Sequence, residues 1–407
     1  MRKFKLAAAV AAGLCGLYGN VQAQEGPAFK FSGFGTVGAT RSNVDKADFV
    51  STQHESEGTG HTRNTDFSLD TKLGGQVDLT LNKQFSAALQ GLVEKDVDGD
   101  FKASLSLAFV KWAPGYGVEA RLGRLPWSAY LVSDYRKIGF SQTWVRPPME
   151  VYYLSGSTMD GGDLTWRTTA GSVALKAQLA YGKSKEKLQS AEISGKQVIA
   201  VNLTADIDAL TLRASHIRLG KFTLKSDQVD QMFQAVRYGL PANALFQGSP
   251  ALPGNTALAD EYQVKDKPQG YTSVGVSYDP GEWFVMSEAA YIHANGFVTA
   301  SKGIYVTGGL RLGAFTPYAS VGRYSHGSVP VTSHPLLDAA MASSAANDYK
   351  STSLGVRWDF HKQADLKLQL DRFSNDSGST GPLANVQAGF VPGRSFNVLT
   401  AAVDFLF

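Results

Sequence analysis

The sequence predicts an all-β protein, a transmembrane antiparallel β-barrel of about 16 strands, and three observations carry that expectation. Apolar and polar residues alternate with period two over many short segments. The connections between those segments alternate between tight turns and long excursions. Beyond residue 23 no stretch approaches the roughly 18 consecutive apolar residues of a spanning helix. With 18% charged side chains and 42 glycines among 407 residues, the composition also argues against a bundle of membrane helices.

The first element is a leader. Met1 to Ala23 has Arg2, Lys3 and Lys5, an apolar stretch from Leu6 to Leu17, and small residues before a cleavage point at Val21-Gln22-Ala23, as a secretory signal requires. Residues 24–407 then read as a single barrel domain, although the length alone would suggest two or three domains. Cys15 lies inside the apolar stretch behind bulky Leu14, so lipidation is disfavoured, and the only cysteine leaves with the leader. Lysine and arginine number 39 against 36 acids. Without the three leader cations the balance is even, so a basic face for nucleic acid has no support.

Alternation defines the strands. Leu69, Thr71, Leu73, Gly75, Val77, Leu79 and Leu81 share one face, opposite Asp70, Lys72, Gly74, Gln76, Asp78 and Thr80. Leu366, Leu368 and Leu370 likewise alternate with Lys367, Gln369 and Asp371. Candidate strands fall near 28–41, 69–81, 84–95, 101–112, 118–124, 162–170, 173–181 and 197–206. Eight more fall near 209–218, 271–279, 283–293, 303–312, 315–324, 350–360, 364–373 and 395–407. Pro317, which cannot donate a ladder hydrogen bond, weakens the thirteenth, and counts of fourteen and eighteen stay open. A soluble sandwich shows the same alternation, with its apolar face turned to a core.

Loop parity separates the two. Tight turns follow the even strands, at positions such as Asn82-Lys83, Gly171-Ser172 and Gly313-Ala314. Long excursions follow most odd strands, including 42–68, 125–161, 219–270, 325–349 and 374–394, while 96–100 and 294–302 are shorter. All long loops therefore emerge at one end. A closed antiparallel sheet is the only strand-based structure that satisfies every backbone group in hydrocarbon.

With these features the chain resembles a Gram-negative outer-membrane porin of the sixteen-stranded general-diffusion type. The residues that carry the resemblance are the opening strand FSGFGTVGATRS, the RLGR of Arg121 to Arg124 leading into a long third loop, and the C-terminal AAVDFLF. The resemblance implies an inward-folded third loop that narrows the lumen, with Arg121, Arg124, Asp134, Arg136, Lys137, Arg146, Glu150 and Asp160 at a pore constriction. An external loop with solvated charges is the alternative. It also implies a homotrimer, contact with outer-membrane lipid and lipopolysaccharide, and a role for Phe405 and Phe407 as signal for the barrel-assembly machinery during biogenesis. One departure is the very short second loop, which in the family often latches the neighbouring subunit.

By strand parity the lumen wall carries Lys72, Lys176, Arg213, Arg357 and Lys367 against Asp70, Asp78, Glu94 and Asp371, together with Lys102, Arg121, Glu119, Glu288, Asp359 and Asp404. That wall is nearly balanced in sign. The third loop has four cations, Arg124, Arg136, Lys137 and Arg146, against Asp134, Glu150 and Asp160, which hints at a weak anion preference.

Other motifs point elsewhere only weakly. GFGTVG at Gly33 to Gly38 matches a dinucleotide fingerprint but lies in a strand with no helix behind it. Asp96, Asp98 and Asp100 resemble the start of a calcium loop, yet Leu107 stands where the bidentate glutamate belongs. No histidine pairing suits zinc, and His216 has no acid beside it for hydrolase chemistry. No metal and no cofactor are expected. In the fifth loop, Val229, Met232, Phe233 and Val236 form a helical stripe after Ser226 and before Gly239.

The expected function is passive diffusion of small hydrophilic solutes and ions, with no enzymatic activity. A substrate-selective channel with a solute-binding constriction is the alternative. An outer-membrane enzyme or an adhesin would be further readings, and a TonB-coupled receptor lacks its plug domain.

Overall fold

The computed structural model describes residues 27–407 except 154, 155, 157 and 295, so the expected leader and Cys15 lie outside the described residues. Sixteen strands close into one antiparallel barrel. They are β1 (Ala28–Ser42), β2 (Lys72–Thr80), β3 (Phe85–Lys95), β4 (Phe101–Gly115), β5 (Val118–Pro126), β6 (Thr158–Ala170), β7 (Val173–Lys187) and β8 (Glu192–Ile207). The second half comprises β9 (Leu210–Lys225), β10 (Lys267–Tyr278), β11 (Trp283–His293), β12 (Ser301–Leu310), β13 (Phe315–His326), β14 (Tyr349–His361), β15 (Ala364–Asn375) and β16 (Ser395–Leu406). Each expected strand is present, and β13 runs through Pro317 in register with Val356.

Side-chain burial decides between membrane barrel and soluble sandwich. On β15, Leu368 and Leu370 are 46% and 47% exposed, whereas Lys367 between leucines is fully buried and Gln369 and Asp371 are nearly so. Phe31, Val110, Leu122, Leu164, Leu203, Val274, Ile304 and Leu354 are likewise outward and exposed. Apolar residues face out and polar residues face in, the reverse of a water-soluble core. Aromatic residues gather near the tight-turn end, where Phe315 stacks on Trp358 and Tyr278 packs against Trp283.

Closure joins the ends of the chain. β1 and β16 pair from Phe34 opposite Leu406 to Ser42 opposite Val398. The Gly33 amide donates to the Phe407 carbonyl at 2.7 Å, and the Phe407 amide returns a bond at 3.0 Å. The Phe407 ring lies on Gly33, where an added Cβ would come within 2.2 Å of it, and the Phe405 ring lies on Gly35, so these two glycines of GFGTVG serve ring packing on the wall.

The tight turns have the expected chemistry. Asn82 Oδ1 accepts from the amides of Gln84 and Phe85, both at 2.8 Å. Gly171, Asp208 and Gly313 take positive φ in their turns. Asp96 closes the second loop by accepting from the amides of Asp98 and Asp100, which is the polar-hairpin arrangement.

Two expectations need correction. β7 and β8 continue to Lys187 and from Glu192, leaving only 188–191 between them. Their ladder outruns the apolar belt, so outward positions there hold Lys183 and Lys185, which mask the strand period in the sequence. Similarly β5 runs to Pro126 and β6 starts at Thr158, which takes Arg124 and Asp160 out of the third loop and into the wall.

The fifth-loop helix, α2 (Asp227–Tyr238), is present and ends at Gly239 with φ 82°. Its stripe packs against α3 (Thr256–Tyr262) and α4 (Pro335–Ser344) around Phe233, Val236, Ala259, Phe297, Leu337 and Met341. Loops five, six and seven thus share one small core. Loops one and eight are joined by short strands, Asp48–Phe49 pairing with both Thr59–Gly60 and Leu383–Ala384. The third loop carries a short helix, α1 (Met149–Tyr152).

Candidate functional site

The third loop, 127–157, makes two kinds of contact. Along β11 to β16 it is stitched to inward-facing side chains. Glu288 accepts from the Leu131 amide at 3.0 Å and from the Tyr152 hydroxyl at 2.7 Å. Trp144 Nε1 donates to Thr307, and the Val145 amide to Gln369. Lys367 Nζ donates to the Gly139 carbonyl at 2.7 Å, and Arg357 to the carbonyls of Phe140 and Gln142.

Arg146 is the strongest stitch. Its guanidinium meets Asp70 at 2.7 Å and Asp371 at 3.1 Å, donates to Thr400, and lies over the Phe49 ring. Burial opposes its charge, but the two carboxylates hold its pKa above the ordinary arginine value. The α1 backbone then presses on β12: a Cβ on Gly303 would fall 1.8 Å from the Glu150 carbonyl oxygen, so only glycine fits. Glu150 is buried with one carboxylate oxygen lacking a hydrogen-bond partner, and burial pushes its pKa up to about 7. Trp127, Tyr130, Trp144 and Tyr152 complete the contact as an apolar layer against Tyr305 and Tyr318.

Along β2 to β4 the loop faces a cavity of about 420 Å³ instead. Lys72, Glu94, Arg136, Lys137, Glu186 and Gln90 are among its lining residues. Lys137 pairs with Glu94 at 2.7 Å, both partly exposed, and Arg136 donates to the Gly156 carbonyl at 2.8 Å. Burial lowers the pKa of Arg136 and of His54, another lining residue. Fixed charges of both signs beside open space bias ions and orient dipoles that pass.

No family model matches the chain, and no curated protein matches it significantly. Solved structures do. The chain is similar to Salmonella typhi OmpF, solved in complex with daunomycin, with 11% identity, TM-score 0.56 and coverage of 95% of this chain and 99% of that one. It is similar to the outer-membrane channel DcaP of Acinetobacter baumannii at 12% identity and TM-score 0.55, covering 95% and 99%. An anion-selective porin from Comamonas acidovorans matches at 14% identity and TM-score 0.53, over 94% and 100%. The fold is that of outer-membrane porins.

Within this porin-type barrel the sequence-predicted residues fall into three groups. Arg146, Asp70, Asp371, Lys367 and Arg357 lie in the stitched half, where Lys367 pairs with Asp404 at 2.8 Å and Arg357 with Asp365 at 3.2 Å. Lys72, Glu94, Arg136 and Lys137 line the cavity, which Asp134 and the clamp residues Asp70 and Arg146 also border. Asp78 accepts from Gln76, Asp134 from Ser128, Arg121 pairs with Asp163, and Lys176 and Arg213 stand on the inner wall of β7 and β9. Arg124 and Asp160 form an ion pair at 2.7 Å; strand parity groups both with outward Leu122 and Leu164, while Arg124 also borders the cavity.

Sequence reasoning missed the first loop's part. Glu55 accepts from the amides of Ser51 and Thr52 and lines the same cavity, and burial raises its pKa to about 7 despite nearby Lys95. Lys95 is buried against Asp66 and the Glu57 carbonyl. Loop residues lack a period, so nothing in the sequence announced them.

Proposed function

We propose that this protein is a passive diffusion channel for small hydrophilic solutes and ions in the outer membrane of a Gram-negative bacterium. The observation that carries the reading is the charged cavity beside the third loop, inside a barrel whose outer face is apolar. In this reading the third loop lies across the barrel, stitched at one side, and narrows the passage at the other. Lys72, Glu94, Arg136 and Lys137 then set ion preference, while Arg146 and Glu150 hold the loop in place. Neither a catalytic centre nor a cofactor has a part in the reading, and no group of three potential metal ligands occurs among the described residues.

The same reading includes a homotrimer, supported by the trimer form of the similar Vibrio cholerae OmpT. It also includes an outer-leaflet environment of lipopolysaccharide and assembly through a signal at Phe405 and Phe407. A secretory leader at Met1 to Ala23 would deliver the chain. Purified protein in a planar bilayer should give stepwise conductance in potassium chloride; protein that inserts without conducting would overturn the reading. A substrate-selective channel would instead show flux that saturates with solute.

A further inference from the structure

Below the third loop, toward the tight-turn end, the inner wall carries a row of cations held in register. Arg167 on β6 stands directly opposite Lys176 on β7. Lys176 is opposite Thr204 on β8, and Thr204 is opposite Arg213 on β9. All four side chains point inward by parity with buried Asp163, Gln178, Asn202 and Ser215. Directly opposed residues have Cβ atoms about 5 Å apart, and like charges so placed repel.

Several other cations of this wall are neutralised at contact distance, as Arg121 is by Asp163, Arg357 by Asp365 and Lys367 by Asp404. This row differs. Among the described residues no acid stands within ion-pair distance of Lys176 or Arg213. Arg167 reaches Glu119 at 3.3 Å, an acid that Lys111 shares at 3.8 Å. Asp134 is bonded to Ser128, and Asp206, one position lower on the wall, accepts from Thr211. Arg213 is buried and held by the Ser128 carbonyl at 3.1 Å, so its position is fixed by the third loop. Arg167 is half exposed and Lys176 is partly exposed, so the row opens to solvent at one end.

We propose that Arg167, Lys176, Thr204 and Arg213 form a binding subsite for a small oxyanion, either a carboxylate or a phosphate, on the tight-turn side of the third loop. Neighbouring strands are about 4.8 Å apart, so Lys176 and Arg213 flank the Thr204 hydroxyl at a spacing of roughly 10 Å, suited to a compact anion taking charge-assisted bonds from both. The subsite rests on the channel reading above and names the solute class that the channel delays in passage.

The test is single-channel recording with inorganic phosphate, potassium succinate or sucrose added on the tight-turn side. Phosphate, succinate or both should reduce the current in a saturable way that sucrose does not, and which of the two acts identifies the oxyanion. Lys176→Gln should weaken that block by about tenfold, whereas Lys72→Gln, which removes a cation on the far flank of the loop, should weaken it far less. A conducting channel that neither anion blocks, or equal weakening by the two variants, would overturn the subsite and leave the channel intact. Absence of conductance would instead sink the channel reading itself.

Discussion

The two flanks of the third loop use the same residue types for opposite ends. Against β11 to β16, charged groups are buried, paired and bonded to backbone, with Lys367 and Asp404 nearly free of solvent exposure. Against β2 to β4, Lys137 and Glu94 keep 27% and 32% of their side-chain surface and face open space. Burial, rather than the sign of the charge, separates a structural clamp from a pair left open to solvent.

The largest effect should come from breaking the clamp. Arg146→Met leaves Asp70 and Asp371 buried without a cation and should cost about 3–5 kcal/mol of loop docking, read as a larger and noisier single-channel conductance. Unchanged conductance would show that the loop does not depend on this stitch.

Next comes pH. The pKa of Glu150 is raised from 4.5 to about 7 in the docked loop. Docking stabilisation from this group is therefore full below 4.5 and lost as pH rises through about 7. Protection at 149–153, taken relative to the intrinsic exchange rate at each pH, should fall over that window in the native protein and stay level in Glu150→Gln. A pH-independent native profile would remove Glu150 from the clamp.

Smaller is Glu288→Gln, whose single amide oxygen keeps an acceptor for only one of the Leu131 amide and the Tyr152 hydroxyl, for a loss of about 1 kcal/mol. Thermal unfolding in detergent should show a modest fall. On the open flank, Lys137→Gln removes a pair worth about 0.2–1 kcal/mol, so stability should hardly change. The reversal potential in a salt gradient should nevertheless move toward cation preference, and a loss of stability without that move would reverse the comparison.

The barrel was legible in the sequence because lipid outside and water inside impose period two on every strand. Leu368 and Lys367 illustrate it, one outward and one buried. Strand ends were less legible, since Lys183 and Lys185 face water beyond the apolar belt and Arg124 and Asp160 were read as loop. The site was legible from pattern where charges sit on strands, as with Lys72 and Glu94, and through the family resemblance for the loop residues Arg136 and Lys137. Glu55 and the pairing of Arg146 with Asp70 depend on chain folding between loops, which no local pattern encodes. The helix α4 did carry a signal that the reading passed over, with Pro335 at its first turn and Leu337 and Met341 one turn apart.

The mutual hydrogen bonds of Gly33 and Phe407 have a consequence for biogenesis. The seam pairs β1 with β16, strands far apart in the sequence, so the sheet keeps two raw edges until these two have met.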